Sequence, residues 1–420
     1  MRVLWFTTSP SLGASFYNYE EIGRSWIKSL ENALKETKDI QMGVAFLYSG
    51  KYLKPFKLNE TQYFPIKNKQ IKGKLNKIYS RWSHKILINE NIHDYIKIIE
   101  EFSPDIIHIF GTENNYGLLI PKVNIPCIVH IQGNLILCAH KWYCGLNKTD
   151  VIRYSKKWKV LKGHGFFHNY IVNKKEAKRE LEILQSCHNL MGRTDWDRRL
   201  ASVFSPKAKY FHCDEIMRTK FYLNEWNPHL VQNKITIITI IRPNIYKGLE
   251  TVFESQKILR QIFSENQIIW KIAGISKQDE ISYLIERKYK KSFEDIGIQL
   301  MGPLQEDKLI DEMKASDLFI HPSHIENSPN SVCEAMLLGM PIIATYSGGT
   351  PSIIENKKEG LLVQDGDPYT LAGAVIELIN DRNYAQSLGA NARKKAMVRH
   401  NPDKVVSDLI NIYSSLIIRK

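Results

Sequence analysis

The stretch "LFIHPSHIENSPNSVCEAMLLGMPIIATYSGGTPSIIE", residues 318–355, decides how the chain reads. "LFIHPS" and "PIIATYS" are short apolar runs of the buried-strand kind, and a helical stretch separates them. Pro329 suits a turn, and Asn330 or Ser331 can cap the helix behind it. Glu334 then falls within the first turn, so Ser331-x-x-Glu334 has the form of a capping box. A helix start offers backbone N–H groups and the positive end of the helix dipole, which together favour an anion. Glu326, eight positions earlier and in the loop, has no local partner. Carboxylates on either side of a phosphate-binding helix start could hold neutral hydroxyls flanking the phosphates. A nucleotide-sugar supplies that order of groups: ribose, diphosphate, hexose.

Outward from this stretch, further strands read as "KITIITII", "IIWKIAG", "IQLMG" and "GLLV". "IIRPNIYKGLE" sets Arg242 and Lys247 just after the first of them. Either cation alone is an ordinary surface charge, but two at the end of a parallel strand could clamp a diphosphate. Before this series, "LNEWNPHLVQN" (223–233) is polar, contains Pro228 and reads as a linker. The first half also alternates strand and helix. "RVLWFTT" leads into a loop with Gly13, a helical pattern "NYEEIGRSWIKSLENALKE" follows, and "MGVAFLYS", "DIIHIFG" and "CIVHIQG" are strands. Such alternation predicts parallel α/β sheets, whose ligands sit at the strands' C-terminal ends, here near Gly13, Gly111 and Gly133. The expected layout is two α/β domains, 1–225 and 231–399, with a cleft between them. A C-terminal amphipathic helix lies in 400–420, started by Asn401-Pro402.

The bulk numbers agree with this layout. A chain of 420 residues with 43% hydrophobic content is long enough for two cores and too apolar for disorder. It has no apolar run of membrane-spanning length, and "MRVLWF" reads as a strand rather than a signal peptide. The six cysteines, at 127, 138, 144, 187, 213 and 333, form no C-x-x-C pair. They read as reduced buried thiols of a cytosolic protein, not as a zinc site or disulfide framework. The net charge of +14 points to an anionic partner. The stretch "KNKQIKGKLNKIYSRWSHK" (67–85) holds seven Lys or Arg and no acid, including Lys67, Lys69, Lys72, Lys74 and Lys77. Ile71, Leu75, Ile78, Trp82 and, just beyond it, Ile86 recur at helical spacing. That is the pattern of a basic amphipathic helix on an anionic membrane, or of a surface helix whose stripe faces the core. "RYSKKWKVLKGHG" (153–165) repeats the basic and aromatic mix. In "GRTDWDRR" (192–199), Thr194 with Asp197 forms a plausible N-cap box, while Arg193 and Asp195 could face an acceptor.

Residues 235–375 resemble the C-terminal domain of retaining glycosyltransferases of the GT-B fold, specifically glycosyltransferase family four. The resemblance is carried by Arg242…Lys247-Gly248, "IAG", "MGPL", "HPSHIENSPNSVCEAM", "GMPIIAT" and "GGTP". In the first half, "PDIIHIFGTE", "IQG" and "GRTDWDRR" look like segments of bacterial polysaccharide-assembly members. The resemblance implies two Rossmann-like domains facing an inter-domain cleft, with the last helix returning to the first domain. It implies transfer with retention from a nucleotide-sugar, a UDP-sugar foremost, to a lipid-linked or oligosaccharide acceptor in surface polysaccharide synthesis. Under it Glu334 would bind ribose hydroxyls and Glu326 the transferred sugar, while Arg242 and Lys247 would neutralise the diphosphate without a metal or other cofactor. Asn330 and Ser331 would present helix-start N–H groups, and Gly13, Gly302 and Gly348 would line the donor. Three positions depart from the family pattern: Gly13 stands without a second glycine, Ser352 replaces a usual glutamate, and Gln132-Gly133 replaces histidine-glycine. Gln132 and Arg193 are therefore the acceptor-side candidates, and strand alternation turns His130 to the opposite side. The implied location is cytoplasmic, peripheral on the inner face of the cell membrane. The alternatives are a nucleotide-sugar epimerase on the same fold and a basic nucleic-acid-binding protein. The latter lacks any RNP-like, helix-turn-helix or zinc pattern.

Overall fold

The computed structural model describes residues 1–17, 25–37, 39–68, 73–84, 91–228, 234–264 and 267–417. Two compact units emerge. One comprises Met1–Ala139, Ile171–Met217 and His400–Lys420; the other comprises His140–Tyr170 and Arg218–Arg399. Each is built on one sheet.

In the first unit the strands are β1 (Arg2–Thr7), β2 (Gln41–Tyr48), β3 (Phe56–Leu58), β4 (Thr61–Lys67), β5 (Ile106–Phe110), β6 (Cys127–His130), β7 (Asn189–Gly192) and β8 (Lys209–His212). Their order is β3-β4-β2-β1-β5-β6-β7-β8, parallel throughout except for the β3/β4 hairpin. The buried runs on β1, β2 and β5 follow from coverage of both sheet faces, which parallel sheets require. The helix Pro402–Ile417 belongs to this unit and anchors through Tyr413, which accepts from Trp5 Nε1 at 3.1 Å and meets His108 Nδ1 at 2.5 Å.

The second unit holds β9 (Ile235–Ile240), β10 (Ile268–Ala273), β11 (Ile298–Gly302), β12 (Leu318–His321), β13 (Ile342–Thr345) and β14 (Leu361–Val363), in the order β11-β10-β9-β12-β13-β14, all parallel. The order reverses direction at β9/β12, and such a switch point opens a crevice at the strands' C-terminal ends.

The observed division departs from the expected one in two ways. Residues 140–170 join the second unit, where Trp142, Leu146, Val151 and Phe166 enter its hydrophobic core. The start of the expected linker is also docked there: Trp226 is buried, with its indole N–H donating to the Ser316 carbonyl at 2.7 Å. The remainder of that linker, 229–233, and residues 18–24 of the expected first helix lie outside the described residues. Among the described residues no helix is long and apolar enough to cross a membrane.

Candidate active site

The loops after β9 and β12 are neighbours because these strands pair in parallel, Leu318 with Ile237 and Phe319 with Ile238. The loop Pro322–Glu326 is held from several sides. The His324 backbone N–H donates to the Tyr246 carbonyl at 3.0 Å, and the Gly349 N–H donates to the Glu326 carbonyl at 2.9 Å. Ser347 Oγ donates to the Ser323 carbonyl at 2.8 Å. Two glycines make this closeness possible. A Cβ on Gly248 (φ +74°) would lie 2.0 Å from the Pro322 carbonyl oxygen, and one on Gly348 (φ +53°) would lie 1.8 Å from that of Glu326. The glycine turn that follows the carboxylate motif therefore seats the backbone of Glu326.

Glu326 is the meeting point of the site. Lys247 forms an ion pair with its Oε1, Ser323 Oγ donates to the same oxygen at 2.9 Å, and His321 Nε2 lies 3.2 Å from it. Burial works to raise the Glu326 pKa, but Lys247 and His321 overrule it and hold the carboxyl well below the usual range. Arg242, by contrast, is exposed.

The helix behind the loop runs Asn330–Leu338, and its N-cap is Pro329 with no side-chain cap bond. The expected caps, Asn330 and Ser331, thus occupy the first two helical positions. Glu334 sits beyond the first turn, and the capping box does not form. Its carboxylate is instead gripped by Arg218, Nε to Oε1 at 2.7 Å and Nη2 to Oε2 at 2.8 Å. Burial pushes the Glu334 carboxyl up against the pull of Arg218. On the other side burial opposes the guanidinium charge, and Glu334 overrides it to hold Arg218 above its ordinary value. A bidentate fork still leaves each carboxylate oxygen a lone pair for a further hydroxyl. Gly302 (φ +66°) closes β11, its N–H donating to the Ile275 carbonyl at 2.9 Å.

A second buried pair escaped the sequence reading. His324 Nε2 lies 2.6 Å from Glu250 Oε1, and Asp365 stands 3.4 Å from His324 Nδ1. Burial tends to lower the His324 pKa, but Glu250 and Asp365 raise it, so the ring is held above its ordinary value. A Cβ on Gly145 would meet Glu250 and His324 at 2.1–2.5 Å, which is how the 140–170 segment reaches these side chains. The available signal was in plain view: two titratable residues inside motif stretches, three positions after Lys247 and two before Glu326.

In the first unit the expected residues behave differently. Gly13 is accounted for by packing, since a Cβ there would stand 2.7 Å from the Tyr63 ring. Arg193, the other acceptor-side candidate, is 2% exposed. Its Nη2 donates to the Gln132 carbonyl at 3.0 Å and its guanidinium lies 5.3 Å from the Trp26 ring centroid, so it positions the Gln132 loop. Thr194 and Asp197 form the capping box, while Asp195 is exposed and pairs with Arg198. His130 is buried. Glu113, which the sequence reading left aside, lies over the strand-end glycines. Its Oε2 would be 2.0 Å from a Cβ on Gly111, and its Oε1 would be 3.3 Å from one on Gly133. That Oε2 is buried with no hydrogen-bond partner among the described residues.

The basic helix runs Lys74–Ser83. Ile78 and Trp82 of the apolar stripe are exposed, so these two do not face a core. Lys69, Ile71, Lys72 and Ile86 lie outside the described residues.

With the parallel α/β sheets and the Lys247–Glu326 pair at the switch-point loops in place, the chain can be set beside known proteins. Residues 224–395 match the family Glycosyl transferases group 1, and the chain carries a domain of that family. It is 26% identical over 187 residues to the uncharacterized glycosyltransferase MJ1069 of Methanocaldococcus jannaschii, covering 44% of this chain and 46% of that one. The match thus spans less than half of that relative's length. It is 22% identical over 327 residues to the amylovoran biosynthesis glycosyltransferase AmsK of Erwinia amylovora, covering 72% of this chain and 76% of the relative. Sucrose-phosphate synthase from Thermosynechococcus elongatus superposes with a TM-score of 0.73 at 13% identity over the whole of both chains. Anabaena HepE, in complex with UDP and glucose, gives 0.66 at 14% identity over 99% of this chain and 100% of that one. The fold is GT-B, as the sequence resemblance implied.

Proposed function

We propose that the chain is a retaining glycosyltransferase that moves a sugar from a UDP-sugar to a lipid-linked or saccharide acceptor in surface polysaccharide synthesis. The observation that carries the reading is the Lys247–Glu326 pair, seated between two glycine turns at the ends of β9 and β12 and followed by a helix start with no side-chain cap. A diphosphate would draw Lys247 and the exposed Arg242, with the N–H groups at Asn330 and Ser331 completing its cradle. Negative charge grows on the leaving phosphate as the sugar bond breaks, and preorganised cations stabilise it. Glu326 would accept hydroxyls of the transferred sugar. Glu334, oriented by Arg218, would accept ribose hydroxyls, with Gly302 and Gly348 lining the donor. The name of AmsK supports a polysaccharide role and the HepE complex supports UDP. Gln132 is the acceptor-side candidate, and no metal or other cofactor is assigned. The exposed Ile78 and Trp82 on a basic helix support peripheral attachment to an anionic membrane on its cytoplasmic face.

The test is a donor screen by product mass against UDP- and GDP-sugars, followed by calorimetric titration of the active donor with and without EDTA. Turnover of a UDP-sugar with affinity unchanged by EDTA is expected. Affinity that vanishes with EDTA and returns with manganese would sink the metal-free reading, and inertness toward every nucleotide-sugar would sink the function.

A further inference from the structure

A second basic segment, "VIRYSKKWKVLKG" (151–163), holds five Lys or Arg and no acidic residue. It forms parts of two short helices of the second unit, Lys148–Tyr154 and Lys157–Leu161. Its apolar side chains divide into two sets. Val151 enters the core, and Tyr154 packs against it. Ile152, Trp158 and Leu161 turn outward, 50%, 55% and 72% exposed. Trp158 and Leu161 are three positions apart, hence on one helix face. The exposed cations Arg153, Lys157 and Lys162 alternate with them along the chain. Lys162 Nζ lies 5.1 Å from the Trp158 ring centroid.

Scattered exposed hydrophobics are ordinary. A tryptophan and a leucine sharing one face, mostly in water and interleaved with cations, contribute nothing to the core of this unit. They match an environment that is apolar at one depth and anionic just above it. We infer that this face docks on an anionic lipid bilayer, with Trp158 and Leu161 entering the headgroup boundary and Arg153, Lys157 and Lys162 meeting lipid phosphates. A single-stranded nucleic acid would satisfy the charges and the indole, but it offers no apolar environment to the exposed aliphatic side chains of Ile152 and Leu161. The inference rests on the membrane reading of the Lys74–Ser83 helix and adds a second contact in the other unit.

The experiment is co-sedimentation of the full chain with vesicles of phosphatidylcholine carrying a minority of phosphatidylglycerol. The variants are Trp158→Ser/Leu161→Ser, Lys157→Glu/Lys162→Glu, Ile78→Ser/Trp82→Ser in the other helix, and Leu223→Ser as a control at an apolar residue 78% exposed elsewhere. Thermal melts of all four should stay close to the wild type, because the substituted side chains are exposed, Ile78 and Trp82 least so at 40% and 47%. The first two variants should each lose vesicle affinity by about tenfold, while Leu223→Ser retains it. Full binding by Trp158→Ser/Leu161→Ser overturns this inference and leaves the Lys74–Ser83 reading standing if Ile78→Ser/Trp82→Ser binds weakly. Equal loss in the Leu223→Ser control overturns it as a nonspecific apolar effect. Tighter binding to an oligonucleotide than to vesicles overturns the lipid as partner. A wild-type chain that ignores the vesicles overturns both membrane readings together.

Discussion

The strand-end loops of the two units treat their buried polar groups differently. In the second unit the buried charges come in pairs: Lys247 with Glu326, Arg218 with Glu334, His324 with Glu250. Both units hold buried polar atoms without a hydrogen-bond partner among the described residues: in the second, Glu250 Oε2, His321 Nδ1 and His324 Nδ1 sit on side chains paired through their other atom, whereas in the first both ring nitrogens of His130 are unpartnered, as are Glu113 Oε2 and His108 Nε2. Burial there drives the histidines toward neutrality, His108 down to about 3 and His130 well below its ordinary value. A paired site is preorganised for a charged ligand, because its dipoles are already fixed. The difference is testable, since breaking a pair and removing an orphan should have very different costs.

The largest effect belongs to the Arg218–Glu334 fork. Arg218→Ala strands a buried carboxylate and should lower stability by about 3–5 kcal/mol, read from denaturant midpoints. Replacing both partners, as Arg218→Met/Glu334→Leu, should recover most of that loss, because no buried charge remains. A double variant as unstable as the single one would mean that the fork acts by shape rather than charge.

Acid should separate the units by sign. Burial raises Glu180 of the first unit to about 7, although it accepts from Thr112 Oγ1 at 2.5 Å and from the Ile136 N–H at 2.8 Å. A folded-state pKa above the unfolded one gives stability that is present below the unfolded value and lost as pH rises through about 7. The swing is at most about 3 kcal/mol. Glu326 runs the other way. Its depressed pKa gives stability present above the ordinary carboxylate value and lost as pH falls. Melts across about pH 2–8 should therefore show a slope between the ordinary carboxylate value and about 7 that Glu180→Gln flattens, and a slope of opposite sign below the ordinary value that Glu326→Gln flattens. Slopes unmoved by either variant would refute both assignments.

The glycine clamp is next in size. Gly348→Ala places a methyl 1.8 Å from the Glu326 carbonyl oxygen at a positive φ. It should cost about 2 kcal/mol and weaken binding of the active nucleotide-sugar, measured by melting and calorimetry together. Normal donor affinity with a lowered melting temperature would confine the glycine's role to stability. This is also where the sequence spoke most clearly. The pattern of short apolar strands, Lys247-Gly248, the two glutamates and the glycine pair marked these neighbouring loops, because local sequence builds them. What it hid was set by distant residues. Arg218 reaches Glu334 across 116 positions, so the glutamate looked like a cap. The 140–170 segment joins the second core through Trp142, Leu146, Val151 and Phe166, which no local pattern marks. The β3/β4 hairpin turns on Asn59-Glu60, both at positive φ (46° and 68°), without the glycine that usually announces such a turn. Pro65 then disguised β4, although it pairs in register with Phe46.

The smallest effect should come from Glu113→Gln. A hydrogen-bonded buried carboxylate loses its bonds when neutralised, but Glu113 Oε2 has none among the described residues, and only its electrostatic support of Arg179 is lost. An unsatisfied buried acceptor already costs about 1–3 kcal/mol, so removing its charge takes away an expense rather than a contact. The backbone of the loop is held independently, because Arg179 donates to the Glu113 carbonyl and Thr112 to Glu180. Glutamine keeps the shape over Gly111, and its amide can turn a donor toward a neighbouring carbonyl. The melting temperature should therefore shift by no more than the equivalent of about 0.5 kcal/mol, in either direction. A loss of about 2 kcal/mol or more would reveal a donor bound to this carboxylate and would erase the contrast between the two units. Near-silence in stability combined with weaker transfer to an acceptor would instead make the orphan oxygen a place where a hydroxyl of the acceptor docks.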